Sequence, residues 1–318
     1  MNAKERYDAL SSDRAEYLDV ARQASELTIP YLVHDDDDVI GARNLKTPWQ
    51  SVGAKGVVTL SAKLMLSLLP PQTSFFKLQV DESQLGDYAP EIKSDLDLAF
   101  AKVERTILES IAASDDRVQV HQAMKHLVVA GNALIFMGKE GLKLFPLNRY
   151  VIDRDGNGNV LEIVTKESIS KKIVQDLVPE LIDNDSGYEN KDTTECDVYT
   201  HVKVLGNKVV WHQEVDDHII PKSQSKAPLD INPWLPLRFN VVDGEGYGRG
   251  RVEEFIGDLK SLEALSQALV EGSAAAAKIV FTVSPSSSTK PATLAAAGNG
   301  AIVQEDLTIS CSTSREDS

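Results

Sequence analysis

The sequence predicts an α+β fold: N-terminal helices, then a largely antiparallel sheet, then one long helix. Three observations in the 318 residues carry that expectation. Apolar residues recur at helical spacing up to about residue 130, and short β-prone runs separated by Gly, Asn, Asp and Pro follow from Asn132. A heptad-like stripe then follows a Gly-rich turn at 243–250. Helices first and strands afterwards fit α+β better than the regular alternation of a doubly wound sheet. The length allows about two domains. With 42% apolar and 25% charged residues the chain has the balance of a soluble globular protein.

Taken in order, Asp13 with Glu16 resembles a capping box opening a helix over roughly 14–27, and Pro30 closes that segment. The acidic run Asp35 to Asp38 reads as a solvated loop. Thr47 as N-cap with Pro48 at the first helical position starts a second helix. In it Leu60, Leu64 and Leu68 share a face, and Pro70 and Pro71 end it. After Pro90, the spacing of Leu96, Phe100, Val103, Ile107 and Ile111 predicts an amphipathic third helix. A fourth, about 116–130, stops at Gly131.

The β-prone runs are 133–137, 142–145, 159–164, 196–205, 208–215 and 235–242, with a helix expected near 167–182. Past the glycines of 243–250 a helix is expected from about Arg251 to Lys278, with Glu253 and Glu254 favouring its first turn. Its seam of Val252, Phe255, Leu259, Leu262 and Leu269, broken by Ser266, suits packing against helices of other subunits; an ordinary buried helix is the equal alternative. Residues 284–300 have loop composition, and the last eight show no apolar pattern.

Charge and motifs narrow the function classes. Lys plus Arg number 33 against 48 Asp plus Glu, a net charge of −15, which opposes the counterion release behind tight nucleic-acid binding. Cys196 and Cys311 suggest neither a disulfide framework nor a zinc site. No apolar run approaches the roughly 20 residues that span a bilayer, so no membrane segment is expected. DGEGYGRG at 243–250 lacks G-x-G-x-x-G spacing and reads as a tight strand-to-helix turn. Asp153, Asp155, Asn157 and Gly158 begin like a calcium loop, but Val164 stands where the bidentate carboxylate belongs, so a hairpin turn is the better reading. The six histidines form no H-E-x-x-H and no ligand trio; His121 and His126 are five apart. No residue is nominated as catalytic, cofactor-binding or metal-binding, and no cofactor is expected.

Longer strings are more specific. TPWQSVGAKGVVTLSAKLMLSLLP from Thr47, LVVAGNALIF from Leu127, DVYTH from Asp197 and DGEGYGRGRVEEFIGDLKSLEAL from Asp243 resemble the portal, or head-to-tail connector, proteins of short-tailed bacteriophages. The likeness runs in order from about residue 5 to about 307. Gly246 and Gly250 stand where small hydroxyl residues are expected, a departure that would loosen the turn.

The resemblance implies a non-enzymatic subunit of a ring of about twelve copies at the capsid vertex, closed by heterologous contacts. Viral DNA would pass through the ring without tight binding during packaging and ejection. Terminase, tail adaptor, scaffold and capsid proteins would be its partners, in the virion and, during assembly, in the host cytoplasm. Residues 1–250 would form most of the wing, 251–278 a stem helix carrying the subunit-packing candidates Phe255, Leu259, Leu262 and Leu269, and 279–318 the start of the clip. Portals of this kind continue further, so the chain reads as C-terminally truncated with an aberrant tail from about 308, and alone it is not expected to close a stable ring. An enzyme with an unrecognised site, or a calcium-dependent binding module, is the alternative.

Overall fold

The computed structural model describes residues 2–34, 45–70, 73–79, 90–170 and 195–276. The chain divides into two compact units, residues 1–263 and 264–318; the described part of the second is the end of a helix.

Helix α1 spans Ala3–Glu26 and begins eleven residues earlier than the sequence suggests. The capping box is Asn2 with Glu5: Asn2 Oδ1 accepts from the Glu5 N–H at 2.7 Å and Glu5 Oε2 accepts from the Asn2 N–H at 3.1 Å. The cap is reinforced from the sheet, because Glu214 Oε2 accepts from the Ala3 N–H at 2.6 Å. Ala3, Tyr7 and Leu10 are buried with Val151, Val164 and Tyr199, so tertiary burial carries the first turns that periodicity alone leaves out.

Helix α2 spans Val52–Leu68, starting after Ser51 rather than at Pro48. The backbone N–H groups of Trp49 and Gln50 donate to the Glu263 carboxylate at 2.8 and 3.3 Å, holding 49–50 outside the helix. Gln50 then bridges: Oε1 accepts from the Gly53 N–H at 3.0 Å, and Nε2 donates to the Leu27 carbonyl at 2.7 Å. Leu60 and Leu64 lean on the core, while Leu68 is exposed. Helix α3 (Pro90–Ala113) stands where its stripe places it, and α4 (Asp116–Ala130) has the bounds expected for the fourth helix. Gly131, at φ +74°, caps α4.

Each expected run holds a strand: β1 (Asn132–Gly138), β2 (Gly141–Phe145), β4 (Val160–Ser170), β5 (Glu195–Leu205), β6 (Lys208–Val215) and β9 (Trp234–Arg238), although the run expected over 235–242 is strand only as far as Arg238. Three more go beyond the sequence reading: β3 (Tyr150–Arg154), β7 (His218–Ile219) and β8 (Ser225–Pro228). One sheet has the order β2-β1-β9, the other β3-β4-β5-β6-β7 with β8 also paired to β6, and every pairing is antiparallel. The helix expected near 167–182 is corrected in its first residues. Glu167 to Ser170 are strand, paired with Val198 to Glu195, because a long ladder to β5 supplies their backbone bonds. The remainder of that span, Asp35 to Asp38 and everything past 276 lie outside the described residues.

The 153–164 segment is a hairpin turn, as read. Asp155 Oδ1 accepts the N–H groups of Asn157 and Asn159, an Asx-type closure between β3 and β4. The main core joins Leu18 and Ala21 of α1, Val57 of α2 and Val128 and Val129 of α4 to Leu134, Trp234, Ile163 and Val202 of the two sheets.

Candidate functional site

The Gly-rich turn at 243–250 joins the body of the chain to the long helix. Its architecture is one of close backbone approach. Asn132, at 1% exposure, donates from Nδ2 to the carbonyls of Ala130 and Gly248 and accepts the Gly248 N–H. A Cβ on Gly250 would lie 2.3 Å from the Val129 carbonyl oxygen, and one on Gly131 would lie 2.4 Å from the Arg249 carbonyl carbon. Glycine at 250 therefore tightens the turn, contrary to the loosening expected from the sequence.

Side chains bolt the turn in place. Tyr247 is buried and its hydroxyl accepts the Ile152 N–H at 3.0 Å; burial pushes the phenol up to about 12. Its ring packs on Tyr17 with centroids 5.2 Å apart. Arg249 is held by Glu245 at 2.6 Å and Glu253 at 2.8 Å, and its guanidinium sits 4.9 Å from the Tyr17 ring centroid. The hydrogen bond to Glu245 raises the guanidinium, and the same bond holds the Glu245 carboxylate below its ordinary value. Arg251 pairs with Glu254 at 2.5 Å. Glu253 and Glu254 lie in the first turn, as expected, with the added role of gripping these arginines.

The helix itself starts with a 3-10 turn, Val252–Phe255, and continues as α5, Ile256–Ala276. Val252 and Leu259 enter the chain's own core at 6% and 9% exposure. Leu262 is half-buried, Phe255 is 44% exposed and Leu269 is 72% exposed. The seam thus contains inward and outward members: Leu259 already has partners within the chain, and Phe255 and Leu269 face water. Leu265 and Val270, outside the predicted seam, are also exposed. Lys260 Nζ donates to Gln23 Oε1 at 2.8 Å. Sequence reasoning missed Asn132, Tyr17 and Tyr247 as anchors of the turn. The helix-ending Gly131 was the available signal, but its partner lies more than a hundred residues away.

No helix among the described residues is long and apolar enough to cross a membrane. The turn leads into a helix that carries apolar residues in water. The sequence is similar to known proteins along nearly its whole length. Residues 1–310 match the family model for bacteriophage head to tail connecting protein. The portal protein of Enterobacteria phage T3 is 38% identical over 96% of this chain, and that of Escherichia phage T7 is 36% identical over 95%. The portal protein of Enterobacteria phage SP6 is 30% identical over 95%. The chain spans 59%, 58% and 60% of the length of these three relatives. The match along nearly the whole chain shows that it belongs to the bacteriophage head-to-tail connecting protein family.

Proposed function

We propose that this chain serves as a portal subunit: a structural, non-catalytic member of a ring at the capsid vertex through which viral DNA is packaged and ejected. Residues 1–250 form its wing, the helix from 251 onward is a stem element, and 279–318 begin the clip. The observation that carries the reading is the helix that follows the turn anchored by Gly250, Tyr247 and Arg249: its apolar residues Phe255 and Leu269 are exposed to water. Apolar side chains on a rigid helix are suited to a neighbouring copy, since heterologous contacts repeated by rotation close a ring.

The net charge of −15 supports a path for DNA that does not retain it. Terminase, tail adaptor, scaffold and capsid proteins are the partners this role entails, and the virion its location.

The test is self-association measured by sedimentation velocity and native mass spectrometry. The protein should associate with itself as concentration rises, and the pair Phe255→Glu with Leu269→Glu should abolish this while leaving far-UV circular dichroism unchanged. A monomer at every concentration, or association indifferent to both substitutions, would overturn the reading.

A further inference from the structure

The strands β5 and β6 are joined by a two-residue turn, Gly206-Asn207, with Gly206 at φ +60°. Glycine at the first central position is what a II′ hairpin turn requires. The turn fixes the register, and the register places His201 directly opposite His212. Side chains alternate along a strand, so Glu214, two residues on from His212, projects from the same face. The two imidazole centroids are 5.5 Å apart. Among the described residues, His201, His212 and Glu214 converge so that one ligand atom from each lies within 4.8 Å of the others.

Their surroundings are those of a built site. His201 is 3% exposed and Glu214 9%. Glu162 of β4 contacts His201 Nε2, and the other Glu162 oxygen accepts from Arg6 Nε at 2.6 Å. His212 Nε2 meets Glu214 Oε1 at 2.7 Å, while Glu214 Oε2 accepts the Ala3 N–H at the start of α1. Polar groups taken from water need such partners.

We propose that His201, His212 and Glu214 bind a divalent transition-metal ion of the zinc type. Two imidazole nitrogens and one carboxylate oxygen form a donor set suited to zinc, nickel or copper, whereas calcium and magnesium favour oxygen-only sites. Glu162 contacts Nε2 of His201, so the ion would be taken at the other ring nitrogen, Nδ1, with the ring turning as needed. A carboxylate on the far ring nitrogen is the outer partner that metal-bound histidines carry. At His212 the ion takes the place of the hydrogen between Nε2 and Glu214 Oε1. At zinc bond lengths of about 2.0–2.1 Å, ligand atoms of a tetrahedral site stand roughly 3.3 Å apart. Closing from 4.8 Å asks for side-chain movement and no change of register. A fourth position remains for water. Because Glu214 also holds the Ala3 N–H, the ion would tie the first turn of α1 to the β5–β6 hairpin and stabilise the fold as the logarithm of free metal above its dissociation constant.

The experiment titrates the metal-free protein with zinc chloride by calorimetry and follows thermal unfolding, with cobalt chloride as a spectroscopic probe. Expected are saturation at one ion per chain, a raised unfolding temperature and the visible absorption bands of tetrahedral cobalt. His212→Ala, at a half-exposed position, and Glu214→Gln, which keeps an acceptor for Ala3, should each abolish these. Glu162→Gln should weaken binding by about 10- to 100-fold. Absence of saturable zinc uptake, uptake unchanged in folded His212→Ala, or an equal thermal shift with calcium or magnesium would overturn the proposal.

Discussion

Asn132 and Gly248 are joined by two hydrogen bonds across 116 residues of sequence: Asn132 Nδ2 donates to the Gly248 carbonyl and the Gly248 N–H donates to Asn132 Oδ1, each at 2.7 Å. One buried side chain thereby stands in for a stretch of β-ladder, tying the start of β1 to the turn that carries α5. Leaving a buried backbone donor and acceptor unsatisfied costs about 1–3 kcal/mol each. Asn132→Ala should lower stability by about 3 kcal/mol in urea unfolding. A loss under about 1 kcal/mol would show that water replaces the amide.

The glycines of the turn should differ by position. Gly250→Ala places a methyl 2.3 Å from the Val129 oxygen, whereas Gly246 has open space around its Cβ position. Gly250→Ala should cost several kcal/mol, within the range of backbone-strain effects, and Gly246→Ala should stay within about 0.5 kcal/mol. Equal losses in thermal unfolding would mean that the close approach does not limit the turn.

Arg14 is 5% exposed and donates from Nη1 to the carbonyls of Leu147, Asn148 and Tyr150 and to the Tyr7 hydroxyl. These bonds dock α1 on the 3-10 turn before β3. Arg14→Leu should destabilise by about 1–3 kcal/mol for each buried carbonyl it leaves without a donor. Arg14→Lys should recover only part, because an ammonium lacks the planar fork. Full recovery would reduce the role to charge alone.

His126 is buried in α4, and burial, with a smaller push from Lys125, lowers it from 6.5 to about 4. The folded state disfavours its imidazolium, so the unfolded chain takes up the proton first as pH falls. The stability contributed by the neutral ring is full above about pH 6.5, declines from there to about pH 4 and is lost below. At about 1.4 kcal/mol per unit this amounts to roughly 3 kcal/mol. His126→Leu should remove most of that slope in urea midpoints measured from pH 7.5 to 4. An unchanged slope would assign it to other groups.

Association with duplex DNA should be weak, indifferent to sequence and abolished by salt, since −15 per chain opposes counterion release. Nanomolar binding in gel shifts at about 0.15 M salt, where the Debye length is about 8 Å, would contradict it.

Much of this molecule is written locally. The stripe of α3, the glycine that ends α4, the strand runs and the Asp155 turn are short-range signals, and each element forms where its own residues place it. The Asn2–Glu5 capping box is local as well, yet it is indistinguishable in sequence from the Asp13–Glu16 pair until Glu214 and the burial of Tyr7 favour the earlier start. The start of α2 depends on Glu263, a carboxylate more than two hundred residues away. The same limit hid the metal-ligand trio. The Gly206-Asn207 turn dictates that His201 faces His212, but their burial and the carboxylates beside them arise only when β4 and the first turn of α1 pack against that hairpin.

The sequence by itself determined that helices come first, strands follow and a long helix comes last, together with the long-range likeness to portal proteins and the charge that repels phosphate. These reside in periodicity, in turn residues and in composition, none of which needs a partner in space. Tertiary structure alone decided which residues of the α5 seam turn inward, as Val252 and Leu259 do, and which stay in water, as Phe255 and Leu269 do. A stripe records that side chains share a face of the helix. What covers that face near its start, at Val252 and Leu259, is a set of core residues distant in sequence, which the stripe does not record.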